Sequence, residues 1–148
     1  MGMQLPEDFR EFLRLFRVHG VRHLLVGGWA VGLHGRPRAT QDLDVWIEVS
    51  PDNARRASQA LAEFGFDAGE DLFLDPGTMV RMGVPPLRIE ILNTVSGLEF
   101  ETAYPGSIEL ELDGVPVRIP SLSDLRRNKK AAGRHKDLDD LENLPMVG

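Results

Sequence analysis

The chain has 148 residues, of which 42% are apolar and 27% charged, and a net charge of −6. That describes a single globular domain over 1–148, too short for two ordinary cores and too apolar for a disordered chain. The absence of cysteine excludes disulfides, thiolate zinc sites and cysteine nucleophiles, and the acidic balance argues against a coat of basic residues for nucleic acid.

In chain order, Phe9, Phe12, Leu13 and Phe16 recur at helical spacing between Pro6 and Gly20, which predicts a first helix. Residues 23–26 form a short apolar run ending at Gly27-Gly28, read as a buried strand and a sharp turn, and residues 29–33 as a short helix closed by Gly35. The apolar stretch 24–33 is about half a bilayer span. The N-terminal residues are acidic where a signal peptide would be basic, so the expectation is a cytoplasmic protein with no membrane partner. Residues 43–49 alternate and are β-branched, which predicts a strand. Ser50-Pro51 then caps and opens a helix that Gly65 stops. Residues 71–75 and 79–82 read as two short strands across a Pro76-Gly77 turn. Residues 87–92 read as a strand with Arg88, Glu90 and Leu92 on one face and Ile89 and Ile91 on the other. Residues 108–112 and 115–119 flank Asp113-Gly114, a hairpin signal. Ser121 caps a helix reaching about Ala132, and a last helix spans 134–144. The expected class is α/β of the α+β kind, a mixed sheet flanked by helices with two helices at the C-terminal end.

The sharpest chemical feature is Thr40-Gln41-Asp42-Leu43-Asp44 at the entry to a strand. Residues two apart on a strand share a face, so Asp42 and Asp44 project together while Leu43 and Val45 face the core. Two like charges side by side repel unless a cation lies between them, and hard oxygen donors suit magnesium. The plain alternative is a solvated strand end. Gly27-Gly28 opens a short helix, where backbone N–H groups can approach a phosphate, or simply makes a tight turn. Glu90 lies mid-strand between two isoleucines, where a charge is costly unless it binds metal or pairs, with Arg88 as the near partner. The run from 126 to 136 carries Arg126, Arg127, Lys129, Lys130, Arg134 and Lys136 without an acid. Arg126, Arg127 and Lys130 read as a solvated face, and Asp137 as the residue that orients Arg134. The histidines lack ligand spacing. His34, beside Gly35 and Arg36, is the one of interest.

Gly27-Gly28-Trp29-Ala30, Arg38-Ala39-Thr40-Gln41-Asp42-Leu43-Asp44 and Arg88-Ile89-Glu90-Ile91-Leu92 resemble the DNA polymerase beta-like nucleotidyltransferase superfamily. The stretches 83–92, 96–100 and 129–141 are similar to its bacterial AbiEii-like branch, from toxin–antitoxin and phage-defence systems. The resemblance implies a minimal nucleotidyltransferase fold. It also implies transfer of a nucleoside monophosphate from a nucleoside triphosphate to an acceptor hydroxyl or phosphate, with release of pyrophosphate. By position, Asp42, Asp44 and Glu90 are the implied catalytic residues and ligands of two magnesium ions. Gly27, Gly28, Arg38, Thr40, Lys129, Arg134 and Lys136 are the implied nucleotide-binding residues. The implied acceptor is RNA, protein or a small molecule, with a cognate toxin or antitoxin as partner. Two residues depart from the pattern: Trp29 stands where many members place serine, and Glu90 where aspartate is usual. Tryptophan at that place also resembles the aminoglycoside and lincosamide nucleotidyltransferases. The competing readings are a catalytically silent nucleotide- or RNA-binding module of the same fold and an antibiotic nucleotidyltransferase.

Overall fold

A computed structural model describes residues 4–35, 42–84 and 87–146. The elements in chain order are α1 (Glu7–Val18), β1 (His23–Val26), α2 (Gly27–Leu33), β2 (Leu43–Ile47), α3 (Pro51–Phe64), α4 (Glu70–Leu74), β3 (Met79–Met82), β4 (Ile89–Leu92), α5 (Phe100–Ala103), β5 (Ile108–Leu112), β6 (Val115–Ile119), α6 (Leu122–Ala132) and α7 (His135–Asn143). Four strands make a mixed sheet in the order β1-β2-β4-β3, and β5 and β6 make a separate hairpin. β2 and β4 are parallel, while β1 and β3 run antiparallel to their neighbours.

The sheet has two unlike faces, set by period-2 alternation. Leu25, Leu43, Val45, Ile47, Ile89 and Ile91 enter the main core with Phe9, Phe12 and Phe16 of α1 and Ala54, Ala57, Ala60 and Leu61 of α3. Each of the three phenylalanines is fully buried, worth about 2–3 kcal/mol apiece in transfer from water. The opposite face carries a smaller apolar cluster, with Leu24, Trp46, Phe100 and Ala103 toward one end of the strands and Val26 beside Asp44. Toward the other end the same face carries Asp44 and Glu90, cross-strand neighbours on β2 and β4.

Several elements form for local reasons. The Ser50 side chain accepts from the Asn53 amide at 3.2 Å, Pro51 takes the first helical position, and Gly65 ends α3. The buried Asn53 accepts from the Arg22 amide and donates to the Arg22 and Glu48 carbonyls, which fixes α3 against β1 and β2. Residues 71–75 depart from expectation: they lie mostly within a one-turn helix, α4, rather than a strand. Glu70 and Asp71 occupy its first turn, and Phe73 alone among its residues is buried. α2 begins at Gly27, two residues before the expected start.

Candidate active site

β1 delivers the chain into α2 at Gly27, whose register neighbour region is Asp44: Val26 pairs with Asp44, and Asp44 with Glu90. Gly27 has φ +67°, and a Cβ there would lie 3.1 Å from the Asp44 Cγ and overlap its Oδ2. Glycine is therefore required twice over, by the backbone conformation and by the close approach of the carboxylate. Gly28 follows as the second residue of α2.

Asp42, Asp44 and Glu90 come together on one end of the sheet, as the alternation requires. Burial pushes the Asp44 pKa up to about 7, with further elevation from the charges of Glu90 and Asp42, against a lowering by Lys136 and Lys129. The other two carboxylates are neutralised. Arg88 donates to the Asp42 Oδ2 through Nη2 at 2.8 Å and Nε at 3.3 Å. The same Nε lies 3.3 Å from the Glu90 Oε1, and Arg81 Nε lies 3.2 Å from that oxygen. The predicted Arg88–Glu90 pairing on one strand face is thus present, and Arg88 also spans to the neighbouring strand.

Two cavities open on this cluster. One of about 390 Å³ is lined by Val26, Gly27 and Asp44, by Met79 and Leu92, by the 94–96 loop, and by Asn128, Lys129, Ala132, Arg134 and Asp137. The other, of about 310 Å³, is lined by Asp42, Asp44, Glu90, Arg81, Arg88, Arg134 and Lys136 with Met79 and Leu92. Asp44 and Arg134 stand in both. The wall of the first cavity is seated by close packing: a Cβ at Gly97 would meet the Ala131 Cβ at 2.7 Å, and Asn128 Nδ2 donates to the Ser96 carbonyl at 2.9 Å. That holds the 94–98 loop tight against α6.

The basic residues divide. Lys129 lines the first cavity, but its buried ammonium lies 3.2 Å from both Asp137 Oδ1 and Asp140 Oδ2. Arg134 donates through Nε to Asp137 Oδ2 at 2.7 Å and remains largely exposed to the cavities. Burial alone would raise the Asp137 pKa, yet hydrogen bonds from Arg134 and Lys129 outweigh it and hold the carboxyl below its usual range. Lys136 is exposed and faces the second cavity. Arg38 and Thr40 lie outside the described residues.

Three sequence expectations resolve structurally. Trp29 turns its indole into the core, edge-on to Phe9 at 6.3 Å between ring centroids, and so does not block the cleft. Arg126, expected on a solvated face, donates through Nη1 to the Leu141, Leu144 and Pro145 carbonyls and secures the end of α7. His34 bonds the Pro120 carbonyl at 2.7 Å, a structural contact. Arg81 was not singled out from sequence. Its position in β3 opposite Glu90 is a matter of strand register.

The donor chemistry of Asp42, Asp44 and Glu90 suits a hard divalent cation: only oxygens, on adjacent strands, with Asp44 kept from ionising freely first by its burial and then by the charges of Glu90 and Asp42. Among the described residues no three acidic or histidine side chains already close up as a metal cage. Arg88 bridges Asp42 and Glu90 instead. Among the described residues no helix is long and apolar enough to cross a membrane.

Comparison with known proteins finds a family and several structures of the same fold. The chain is similar in structure to a candidate nucleotidyltransferase from Thermotoga maritima, with a TM-score of 0.64 and 18% identity over 95% of this chain and 94% of the other. It is also similar to the antibiotic-resistance factor ANT(2'')-Ia, with a TM-score of 0.55 and 14% identity over 91% and 79% of the two chains. A third likeness is to the lincomycin-bound lincosamide antibiotic adenylyltransferase LnuA, with a TM-score of 0.53 and 15% identity over 94% and 95%. At these identities the likeness shows a shared fold, the mixed sheet flanked by helices. No curated protein matches the chain in sequence. The family model of nucleotidyl transferases of unknown function, DUF2204, matches residues 6–147, and the chain belongs to that family.

Proposed function

We propose that the protein is a magnesium-dependent nucleotidyltransferase that moves a nucleoside monophosphate from a nucleoside triphosphate to an acceptor hydroxyl or phosphate. The observation that carries this reading is the pairing of Asp44 with Glu90 across parallel strands, with Asp42 two residues earlier and Gly27 against the Asp44 carboxylate. Asp42, Asp44 and Glu90 are the residues that would hold the metal. When bound, two divalent ions supply charge neutralisation at the attacking and leaving oxygens.

The remaining work falls to the chain's own residues. Gly27 and Gly28 bring backbone to the triphosphate without side-chain obstruction. Arg134 and Lys136 face the cavities and offer cations to the phosphates. Arg38 and Thr40 stand in the segment leading to Asp42, in the same nucleotide-binding role. Lys129 acts mainly by fixing Asp137, which in turn aims Arg134. In the transfer, the acceptor oxygen forms a bond to the α-phosphorus and the bond to the bridging oxygen of the β-phosphate breaks. Pyrophosphate leaves with that electron pair, and Glu90 takes the acceptor proton. Phosphoryl transfer of this kind needs positioning and electrostatics above all.

For the acceptor, a small molecule has support from the cavity of about 390 Å³ with mixed apolar and polar walls. The likeness to ANT(2'')-Ia and to LnuA supports it further. A cytoplasmic toxin–antitoxin component acting on RNA or protein rests on the sequence resemblance to the AbiEii-like branch. The second reading, a silent nucleotide-binding module, is favoured by one observation: Arg81 and Arg88 already neutralise Glu90 and Asp42. The test is incubation with each α-labelled nucleoside triphosphate and magnesium, against tRNA, an aminoglycoside, a lincosamide and a cognate protein. Label on any acceptor, with pyrophosphate released in equal amount, supports the enzyme. Magnesium-dependent nucleotide binding without transfer to any of them supports the silent module.

A further inference from the structure

Arg88 sits where a cation bridging two strands would sit. Its guanidinium contacts Asp42 Oδ2 at 2.8 Å and Glu90 Oε1 at 3.3 Å, and its side chain is only 29% exposed. Arg81 differs: it reaches Glu90 alone, and its side chain is 57% exposed. With all three carboxylates ionised, Asp42, Asp44 and Glu90 are balanced by Arg81, Arg88 and Lys136 around the same cavity, where Arg134 is paired with Asp137, so the cluster carries no net charge. A divalent cation entering alone would turn that balance positive and would compete with Arg88 for the same oxygens. A divalent cation entering with a triphosphate brings the anion that Arg88 then needs.

We propose that Arg88 is a built-in counter-cation that closes the site to free metal and makes metal binding conditional on nucleotide. The proposal rests on the nucleotidyltransferase reading above and adds to it a defined order of loading. In the empty protein Arg88 holds Asp42 and Glu90. When a metal–triphosphate complex arrives, the guanidinium leaves Asp42 for a phosphate oxygen, a partner it binds with the same two-pronged geometry. The ligand of this site is therefore the complex of nucleotide and cation, and neither component binds well without the other. Such coupling is reciprocal, so the factor by which nucleotide tightens metal equals the factor by which metal tightens nucleotide.

The test is a titration with manganese(II), with free ion read by its paramagnetic resonance signal, in wild type, Arg88→Gln and Arg81→Gln. Each protein is titrated with and without an α,β-methylene nucleoside triphosphate, which cannot transfer. Wild type should bind manganese about tenfold or more tighter with the analogue than without it. Arg88→Gln should bind manganese alone about tenfold tighter than wild type does, and the gain from the analogue should shrink by a similar factor. Arg81→Gln should change the affinity for manganese alone by much less, because Arg81 leaves Asp42 untouched. If Arg88→Gln binds manganese alone no tighter than wild type while wild type still gains from the analogue, Arg88 is a structural ion pair. The proposal is then overturned and the enzyme reading stands. If wild type binds no manganese even with the analogue, both fall together. Should Arg88→Gln fail to fold, Arg88→Lys carries the test. One ammonium cannot span both carboxylates, so affinity for manganese alone should still rise, and no rise overturns the proposal.

Discussion

Gly27 and Asp44 are in such close apposition that a single methyl group on the glycine would lie 3.1 Å from the Asp44 Cγ and overlap the carboxylate oxygen. Gly27→Ala should therefore destabilise the fold by about 2 kcal/mol or more, combining left-handed backbone strain with the clash. In an Asp44→Ala background the same substitution should cost markedly less, since the clashing carboxylate is gone. Urea unfolding of the four proteins measures this. An equal loss in both backgrounds would mean that the two residues are not in contact.

Asp44 makes the metal-free protein sensitive to pH. Its pKa is raised to about 7 by burial, by Glu90 and by Asp42, so the folded state holds a proton that the unfolded chain gives up near the ordinary value of 3.8. The sign follows from linkage: the stabilisation is fully present below about pH 4 and is lost as pH rises through about 7. Its size is of order 2–4 kcal/mol. Asp44→Asn should remove this slope and unfold at a higher temperature than wild type at pH 8 without metal. Thermal melts across pH 4–9 check it, and superimposable profiles would refute the burial of an ionisable Asp44.

The buried cluster of Lys129, Asp137 and Asp140 should be unforgiving. Lys129→Ala leaves two buried carboxylates without their shared cation and should cost about 3–5 kcal/mol. Lys130→Ala, one residue on and exposed, should stay within about 0.5 kcal/mol of wild type. Chemical denaturation separates the two. Similar values for both would place Lys129 on the surface.

What could be read from the sequence follows from how local each signal is. The Ser50-Pro51 start and Gly65 stop of α3, the Asp113-Gly114 hairpin and the alternation of Ile89 to Leu92 are each decided within a few residues. The stretch around Phe73 is different: five residues of mixed polarity fit one helical turn as well as a short strand, and its single buried side chain decides for the turn. The carboxylates of the site were legible because residues 42 and 44 must share a face. Arg81 was not, because its contact with Glu90 depends on the β3–β4 register. Arg126 and Lys129 read as surface or phosphate-facing cations, yet the packing of α6 on α7 turns one to the end of α7 and buries the other between two aspartates. That packing joins residues 8 to 19 positions apart and leaves no local mark.

Glu90 is one methylene longer than the residue usual in the superfamily it resembles, and that length lets one oxygen meet both Arg81 and Arg88. Glu90→Asp should loosen both contacts and reduce transfer rate by about tenfold to a hundredfold if glutamate is the working ligand. Steady-state label transfer measures it. A faster Glu90→Asp enzyme would mean that the longer carboxylate holds the natural chain back.

The most direct measurement is single-turnover transfer of label from an α-labelled nucleoside triphosphate, with magnesium and the acceptor that wild type accepts, in wild type and Asp44→Asn. The substitution keeps the side-chain shape and removes the charge proposed to face the cation. Transfer should fall by about a thousandfold or more while the variant stays folded. Equal transfer by wild type and a folded Asp44→Asn would contradict the carboxylate mechanism.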